Sequence, residues 1–269
     1  MAKGSIELVR QGNDYDPLPD EMVEDVNSRS RAGIRLFCFP YAGGSARIYR
    51  SWQEAMPPFV EVCPVEFPGR GMRIRDPLCT RLPVLLDDLL PFILRRQDRP
   101  FAFFGHSLGS LVAFELARWL KRNHGLEPVG IFASGFAAPH LPRRSLPIHA
   151  LSDESFLKRL RQFNGTPEEI LQNEGMMEVM MPILRADFAV AETYRHFPGQ
   201  PLECPITAFG GLKDKDVNLS ELDAWRKHTN RRFTACFFPG NHFFLHPQEK
   251  SILKQMSRHL REWVPADHG

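Results

Sequence analysis

Six short runs of apolar and β-branched residues recur along the chain and predict six β-strands. Most of these runs are continuous, whereas a strand covered on one face only would alternate apolar and polar residues. Continuous runs are typical of parallel strands that lie between two layers of helices. The runs occupy residues 34–39, 60–65, 101–104, 128–134, 205–210 and 233–238.

Helical periodicity fills most of the intervals between these runs. It predicts helices near residues 45–56, 82–96, 109–123, 219–229 and 248–263. Alternating strands and helices imply an α/β fold, with a mostly parallel central sheet flanked by helices and joined by right-handed crossovers. Ligands of such sheets bind at the carboxyl ends of the strands, so we expect functional residues in the loops that follow strands.

The interval at about 138–197 shows only helical signals and predicts an inserted lid. The stretch 151-LSD-153 can cap a first helix, and 166-TPEE-169 has the spacing of a capping box with proline at the first helical position. A third helix is predicted over 175–195, and Pro182 should kink or break it. We expect these helices to pack over the carboxyl edge of the sheet.

Composition indicates a globular protein of 269 residues, of which 43% are hydrophobic and 25% charged. A net charge of +2 gives no case for binding nucleic acid or a membrane surface. Five scattered cysteines without a CxxC pair argue against a disulfide framework or a zinc site and suit a reducing cytoplasm. We also find no signal-peptide pattern and no apolar run of the ~20 residues that a membrane span needs.

The first 32 residues differ in amino-acid composition from the rest of the chain. They are polar, rich in turn-forming residues and crowded with acidic side chains between Asp14 and Asp25. This composition predicts a flexible tail over 1–32 with no assigned role. The folded domain, with its lid, is then expected over 33–269.

The stretch 105-GHSLG-109 places a serine between two glycines where the third strand run gives way to a helical pattern. The G-x-S-x-G motif alone is weak evidence, but a nucleophile elbow requires this strand–turn–helix setting. Such a turn strains the serine backbone, and the glycines prevent clashes with neighbouring segments. We therefore predict Ser107 as an exposed nucleophile at a helix amino terminus, where backbone N–H groups favour a developing negative charge.

A serine nucleophile needs a histidine base, and hydrolases of this fold order the three groups Ser, Asp, His along the chain. His242 follows the sixth strand run and so lies on a loop at the carboxyl edge of the sheet. Gly240 and Asn241 can both adopt the left-handed backbone of a tight turn there. We predict His242 as the base, with His246 as the reserve.

The carboxylate that orients this histidine should follow the preceding strand. The stretch 211-GLKDKDV-217 offers Asp214 and Asp216. We favour Asp214 because it comes just after the strand and because Val217 can pack inward beyond it, while Asp216 stays open as the alternative.

An oxyanion hole needs two backbone N–H donors, one of them from the residue after the nucleophile, Leu108. The second donor usually comes from the loop after the first core strand. That loop is 40-PYAGGSA-46, which is rich in glycine and leads into a predicted helix. Losing one such donor typically costs about 2.7–4 kcal/mol of transition-state stabilisation.

Together these segments resemble the type II thioesterases that accompany modular polyketide and nonribosomal peptide synthases. The resemblance covers roughly residues 34–263. LRAD within the lid and PGRG after the second strand separate this family from generic esterases. Six blocks in one order carry the resemblance: LFCFPYAGGSA (36–46), VEFPGRGMR (65–73), FFGHSLGSLVAFELA (103–117), MPILRADFAVAETY (181–194), FGGLKDKDV (209–217) and PGNHFFL (239–245).

This resemblance implies an α/β-hydrolase fold with a helical lid, the triad Ser107, Asp214 and His242, and an oxyanion hole formed by the backbone N–H groups of Ala42 and Leu108. The implied substrate is an acyl group joined by a thioester to the phosphopantetheine arm of an acyl or peptidyl carrier protein. The implied role is the removal of stalled or wrong acyl chains from the synthase. We expect no metal, no bound cofactor and a monomeric enzyme.

Two positions depart from the family pattern, and both lie beside predicted catalytic groups. Tyr41 stands where many members have histidine, and Asn241 replaces a common glycine. The backbone donor at Ala42 is unaffected by the first change, which alters only the side chain at position 41.

The third lid helix holds four of the nine methionines of the chain. Methionine is flexible and polarisable, and it suits surfaces that must fit several apolar shapes. These side chains are therefore candidates for lining an acyl-chain groove, and packing inside the lid is the equally weighted alternative. The four candidates are Met176, Met177, Met180 and Met181.

An acidic carrier protein should dock on exposed basic residues near the lid. Two groups of arginines could form such a patch, although most surface arginines only solvate a face. The first group is Arg70, Arg73 and Arg75, and the second is Arg143 and Arg144.

Three other functions remain compatible with these motifs. A small-molecule carboxylesterase or lipase and an acyltransferase would both use the same triad. A hydrolase-like binding protein without activity belongs to a different class, and the complete set of predicted catalytic residues argues against it.

Overall fold

The computed structural model describes residues 33–144, 146–163, 165 and 168–264. The predicted tail over 1–32 and the predicted capping box that begins at Thr166 lie outside the described residues. Among the helices within these ranges, none is both long enough and apolar enough to cross a lipid bilayer.

A six-stranded sheet with the strand order β2-β1-β3-β4-β5-β6 forms the centre of the protein. All five strand pairings within the described residues are parallel, which confirms the predicted α/β class. Strand positions match the sequence pattern to within about three residues. The strands are β1 (Ile34–Phe39), β2 (Val60–Pro64), β3 (Phe101–His106), β4 (Ile131–Ser134), β5 (Ile206–Gly211) and β6 (Phe233–Phe238).

Helices cover both faces of this sheet, which explains the continuous apolar runs. Alternate residues of a strand point to opposite faces, so Phe37 and Phe103 pack in one core cluster while Cys38 and Phe104 pack in the other. Strands β1, β3, β4 and β5 are buried along their whole length, whereas the edge strand β6 is only partly buried.

The helices between the strands agree with the predicted intervals, with two subdivisions. The predicted helix near 45–56 divides into a 3-10 turn (Ala46–Tyr49) and α1 (Trp52–Ala55), and the one near 219–229 divides into α7 (Leu219–Asp223) and a 3-10 turn (Ala224–His228). The remaining helices outside the lid are α2 (Leu82–Leu94), α3 (Leu108–His124) and α8 (Glu249–Trp263).

Between β4 and β5 the described residues form α4 (Asp153–Phe163), α5 (Glu168–Leu171) and α6 (Glu174–Thr193). These helices share a small apolar core that includes Phe156 and Leu160. Of the predicted kink or break at Pro182, the break is wrong, since α6 continues through this residue. Proline removes one backbone donor, and the acceptor that loses its partner belongs to the exposed residue Glu178, where water can replace the bond.

Candidate active site

Ser107 occupies the sharp turn between β3 and α3. Its backbone has φ 52° and ψ −118°, and no other non-glycine residue in the described ranges has a positive φ. A side chain in this region strains the backbone, and such strain persists only where the surrounding structure holds it in place. The Ser107 N–H donates to the Ser134 carbonyl at 2.7 Å, which ties the turn to the neighbouring strand β4.

The two glycines of the motif are required by close backbone contacts. A Cβ atom on Gly105 would lie 2.0 Å from the Gly109 carbonyl oxygen, and one on Gly109 would lie 2.1 Å from the Phe39 carbonyl oxygen. Neither backbone neighbour can move aside as a flexible side chain could. The turn that exposes Ser107 therefore depends on both glycines, as expected of a nucleophile elbow.

His242 and Asp214 come from the loops after the last two strands and are joined by a hydrogen bond. His242 Nδ1 lies 2.9 Å from Asp214 Oδ2, and the Asp214 side chain is fully buried while that of His242 is 12% exposed. The other Asp214 oxygen accepts the N–H groups of Asp216 and Val217 at 2.8 and 3.3 Å. These bonds fix the Asp214 carboxylate toward the histidine, whereas Asp216 contributes only its backbone at this point.

The two loops are held together by backbone contacts as well. The Lys213 N–H donates to the Gly240 carbonyl at 2.8 Å. Gly240 has φ 129°, a conformation that side chains rarely adopt, and a Cβ on Gly211 would lie 2.5 Å from the Asn241 carbonyl oxygen. The asparagine at 241 thus fits a turn whose left-handed residue is the preceding glycine.

His246, the predicted reserve base, has a different partner. Its Nε2 atom lies 3.0 Å from the Tyr41 hydroxyl, and burial lowers the pKa of its imidazole. The residue does not belong to the wall of the cavity that contains Ser107 and His242. Tyr41 itself does line that cavity.

A cavity of about 880 Å³ joins the carboxyl edge of the sheet to the lid. Ser107, His242 and the two predicted oxyanion donors, Ala42 and Leu108, all line it. Neither the Ala42 nor the Leu108 N–H donates to a protein acceptor within the described residues, so both are free to bind an oxyanion. The lid contributes apolar side chains to the opposite wall, namely Leu160, Phe163, Leu184 and Phe188.

His106 is a residue that the sequence analysis missed. It is fully buried beneath the site, its Nδ1 lies 2.8 Å from Ser134 Oγ, and its ring lies 5.4 Å from that of His242. Burial, reinforced by the charges of His242 and His246, holds the pKa of this imidazole well below its usual value. His106 occupies the first variable position of the G-x-S-x-G motif, so the motif does not predict a buried histidine there.

The four methionine candidates do not line the cavity among its described residues. Met177 is buried in the lid core, Met180 and Met181 pack against that core, and Met176 is exposed. The structure therefore favours packing within the lid for Met177, Met180 and Met181, because the cavity-facing side of α6 presents Leu184 and Phe188 instead.

Of the first predicted arginine group only Arg75 is exposed, so its three members do not form one free basic patch. Arg70 is buried against Asp187, and Arg73 is paired with Asp76 and Asp88. In the second group, Arg143 and Arg144 line the cavity. Their ion-pair partners are Glu192 at 3.3 Å and Glu221 at 3.4 Å, and the Arg144 side chain remains 60% exposed.

Asp214, Asp216 and His242 also bring potential metal-ligating atoms within 4.8 Å of one another. The same atoms of Asp214 and His242 already make the hydrogen bond described above. A metal ion at this point would replace that bond, so the geometry fits an oriented histidine better than a metal site.

The protein is an α/β-hydrolase by its site and fold. It has a strained serine at a strand–helix turn, and an aspartate–histidine pair follows on later loops of the parallel sheet. The chain belongs to the thioesterase domain family, whose model matches residues 34–260. It is a serine hydrolase that cleaves thioesters.

Known relatives resemble the chain over nearly its whole length. It is 44% identical to linear gramicidin dehydrogenase LgrE of Brevibacillus parabrevis over 93% of this chain and 97% of that protein. It is 42% identical to gramicidin S biosynthesis protein GrsT of Aneurinibacillus migulanus over 88% and 93% of the two chains. The solved structure of BorB, a type II thioesterase from the borrelidin biosynthetic cluster, superposes with a TM-score of 0.78 at 36% identity, covering 86% of this chain and 96% of that one.

Proposed function

We propose that this protein is an editing type II thioesterase, which hydrolyses acyl groups from the phosphopantetheine arms of carrier proteins in polyketide or nonribosomal peptide synthesis. The observation that carries the proposal is the cavity beneath the apolar lid that Ser107 and His242 both line, with His242 hydrogen-bonded to the buried Asp214 behind it. Its similarity to GrsT and BorB, proteins of two biosynthetic systems, supports this setting.

The reaction follows from the positions of these groups. His242 takes the proton of Ser107, whose oxygen attacks the thioester carbonyl to form a tetrahedral oxyanion bound by the N–H groups of Ala42 and Leu108. The C–S bond then breaks, and the carrier thiol leaves with the proton from His242. A water molecule, deprotonated by His242, attacks the acyl-serine and releases the free acid and the Ser107 hydroxyl. These steps require no metal and no bound cofactor.

The cavity suits a substrate with an apolar acyl chain. Its volume of about 880 Å³ is large for a small-molecule site, and α4 and α6 give it aromatic and aliphatic walls. Phe163 and Phe188 pack together in this wall with their ring centres 5.7 Å apart and their planes tilted by 32°. Acyl chains of several shapes can pack against such a surface, as an editing enzyme requires.

The carrier protein is expected to dock where Arg143 and Arg144 border the cavity. Arg144 is the better contact for an acidic partner, because most of its side chain is exposed and its bond to Glu221 is long. A surface pair of this kind is weak, typically below about 1 kcal/mol, and can be exchanged for a partner's carboxylate. A monomeric state and a cytoplasmic location are further parts of this proposal.

LgrE is named a dehydrogenase, and this name suggests hydride transfer as an alternative function. Nucleotide-dependent dehydrogenases of doubly wound folds usually carry a G-x-G-x-x-G turn after the first strand. This chain has PYAGGSA after β1, and the hexapeptide pattern occurs nowhere in its sequence. The observed site therefore favours acyl transfer to water.

An acyl-carrier panel analysed by mass spectrometry tests the proposal. We expect the wild-type protein to remove the acyl mass from carrier-bound substrates and release the free acid, and the Ser107→Ala variant to leave them intact. Hydrolysis of simple oxygen esters without any action on acyl carriers would instead identify a carboxylesterase. Transfer of the acyl group to an added alcohol or amine would identify an acyltransferase.

A further inference from the structure

The two family-specific blocks of the sequence, PGRG and LRAD, meet in one buried ion pair. Arg70 follows β2 and Asp187 lies in α6, and their side chains are only 7% and 3% exposed. The guanidinium donates to both carboxylate oxygens, at 2.5 Å to Oδ2 and 2.7 Å to Oδ1. This two-bond geometry fixes the orientation of the carboxylate as well as its position.

The pair continues into the loop after β1. Asp187 Oδ2 accepts the Gly43 N–H at 2.7 Å, and Arg70 Nη1 donates to the Gly44 carbonyl at 3.2 Å. Ala42, whose N–H is a proposed oxyanion donor, directly precedes Gly43. The lid helix and the β2 loop therefore hold the peptide group next to the proposed oxyanion hole.

Side-chain packing supports the same contact. Gly43 has φ 76°, and a Cβ at this position would lie 2.5 Å from Leu184 Cδ2. Leu184 lies three residues before Asp187 on α6, so both residues are on the helix face that meets the loop. The loop thus contacts the lid through one hydrogen bond and one close apolar contact.

We infer that Asp187 is a positioning residue, which sets the direction of the Ala42 N–H through its hydrogen bond to Gly43. Arg70 compensates the carboxylate charge, which would otherwise oppose the negative oxyanion that forms nearby. This inference deepens the proposed function and rests on it. It predicts that the bond matters for the transition state much more than for substrate binding.

A matched pair of double variants separates this role from a structural one. Arg70→Met with Asp187→Leu replaces the ion pair by apolar side chains, a change that proteins often tolerate without loss of stability. Arg70→Met with Asp187→Asn differs from it mainly by keeping an oxygen that can accept the Gly43 N–H. Asp88→Asn is the control, because it removes a neighbouring ion pair, with Arg73, that does not bond to the loop.

Each folded variant is compared for kcat, KM and the binding of two inhibitors. A trifluoromethyl ketone acyl analogue forms a tetrahedral oxyanion with Ser107, whereas an amide analogue of the thioester resembles the ground state. We expect the leucine double variant to lose about 10²-fold in kcat and in ketone affinity, with amide affinity unchanged. The asparagine double variant should stay within about tenfold of the wild type, and Asp88→Asn within about twofold.

Three results would overturn the inference. The first is equal kcat in the two double variants, and the second is a parallel loss of ketone and amide affinity in the leucine variant. The third is a 10²-fold loss in the folded asparagine variant, which tests the inference even if the leucine variant does not fold. All comparisons can be repeated with a simple oxygen ester, so a wild-type protein inactive on acyl carriers would reject the proposed substrate without affecting this test.

Discussion

Asp214 binds His242 through one carboxylate oxygen, while its other oxygen accepts two backbone N–H groups of its own loop. The carboxylate is thus held on both sides, and it leaves His242 with Nδ1 protonated and Nε2 available as a base. Asp216, two residues later, supplies an N–H group to this arrangement, and the hydrogen bond to His242 comes from Asp214.

Replacing Asp214 by asparagine should therefore disable the histidine, because an amide can donate to Nδ1 and favour the wrong tautomer. We expect kcat to fall by about 10⁴-fold, with little change in KM. Asp216→Asn is the matched control and should retain kcat to within about threefold. Steady-state kinetics on one acyl thioester would measure both, and equal effects of the two substitutions would contradict the assignment.

For the strained turn at Ser107, we expect two substitutions to lower activity equally but to differ in stability. Ser107→Ala and Ser107→Gly should both lower kcat by about 10⁶-fold, since each removes the nucleophile. Glycine adopts a positive φ without strain, so the glycine variant should unfold with a free energy about 1 kcal/mol higher than the alanine variant. Denaturant titration checks this order, and a more stable alanine variant would contradict it.

The glycines around the serine should tolerate no side chain. Gly105→Ala places a methyl group against backbone atoms, and we expect it to lower the free energy of unfolding by about 4 kcal/mol or to prevent folding. Gly125→Ala is the control. Gly125 has a positive φ, 65°, which Gly105 does not, but nothing lies within 4 Å of the added methyl group. That change should cost about 1 kcal/mol.

Acid should destabilise the protein through a buried histidine cluster. Burial, with the charges of His140, His196, Arg118 and Lys227, lowers the pKa of His228 to about 3. In the unfolded chain this imidazole binds a proton below pH about 6.5, whereas in the folded protein it stays neutral until about pH 3. Stability is therefore present above pH 6.5 and falls as the pH decreases from there toward 3, by about 1.4 kcal/mol per unit for this group.

Substitution of His228 isolates this contribution. His228→Gln should reduce the slope of unfolding free energy against pH between about 6 and 4. The expected reduction is about 1.4 kcal/mol per pH unit, which corresponds to one bound proton. His124→Gln is the control for the loss of a histidine side chain, because His124 is exposed at the end of α3. Urea unfolding at several pH values gives both slopes, and an unchanged slope in the His228 variant would contradict the expectation.

Acyl-chain preference should depend on the lid residues that face the cavity. Phe188→Ala enlarges the cavity wall, and we expect the kcat/KM ratio of long to short acyl chains to rise by about tenfold or more. Met176→Ala, at an exposed position on the same helix, should leave the ratio unchanged. A chain-length series of acyl thioesters measures both, and a shift in the methionine variant alone would reverse our assignment.

Sequence patterns predict the features of this protein that depend on neighbouring residues in the chain. The strands can be read from runs such as 101-FAFF-104, because burial on two faces leaves no polar positions. The turn at Ser107 can be read because a strained serine needs two glycines at fixed spacing. Position along the chain favours Asp214 over Asp216, and in the structure it is Asp214 that hydrogen-bonds His242.

Features that depend on distant contacts could not be predicted in this way. Arg70 and Asp187 lie 117 residues apart, and nothing in either segment shows that the arginine is buried instead of exposed. The methionines of α6 carry no signal for which side of the helix faces the cavity. Similarly, the sequence does not show that α6 continues through Pro182, where the acceptor that loses its partner belongs to the exposed residue Glu178.

The missing N–H of Pro182 gives the lid helix two mechanically different halves. The half after Pro182 is anchored to the body of the protein through Asp187, while the half before it carries the exposed Met176 and Val179. Bending costs least where a backbone hydrogen bond is already absent. When a bulky substrate enters, we therefore expect the first half of the helix to bend away at Pro182. The groups that stabilise the reacting carbonyl would keep their positions throughout the catalytic cycle.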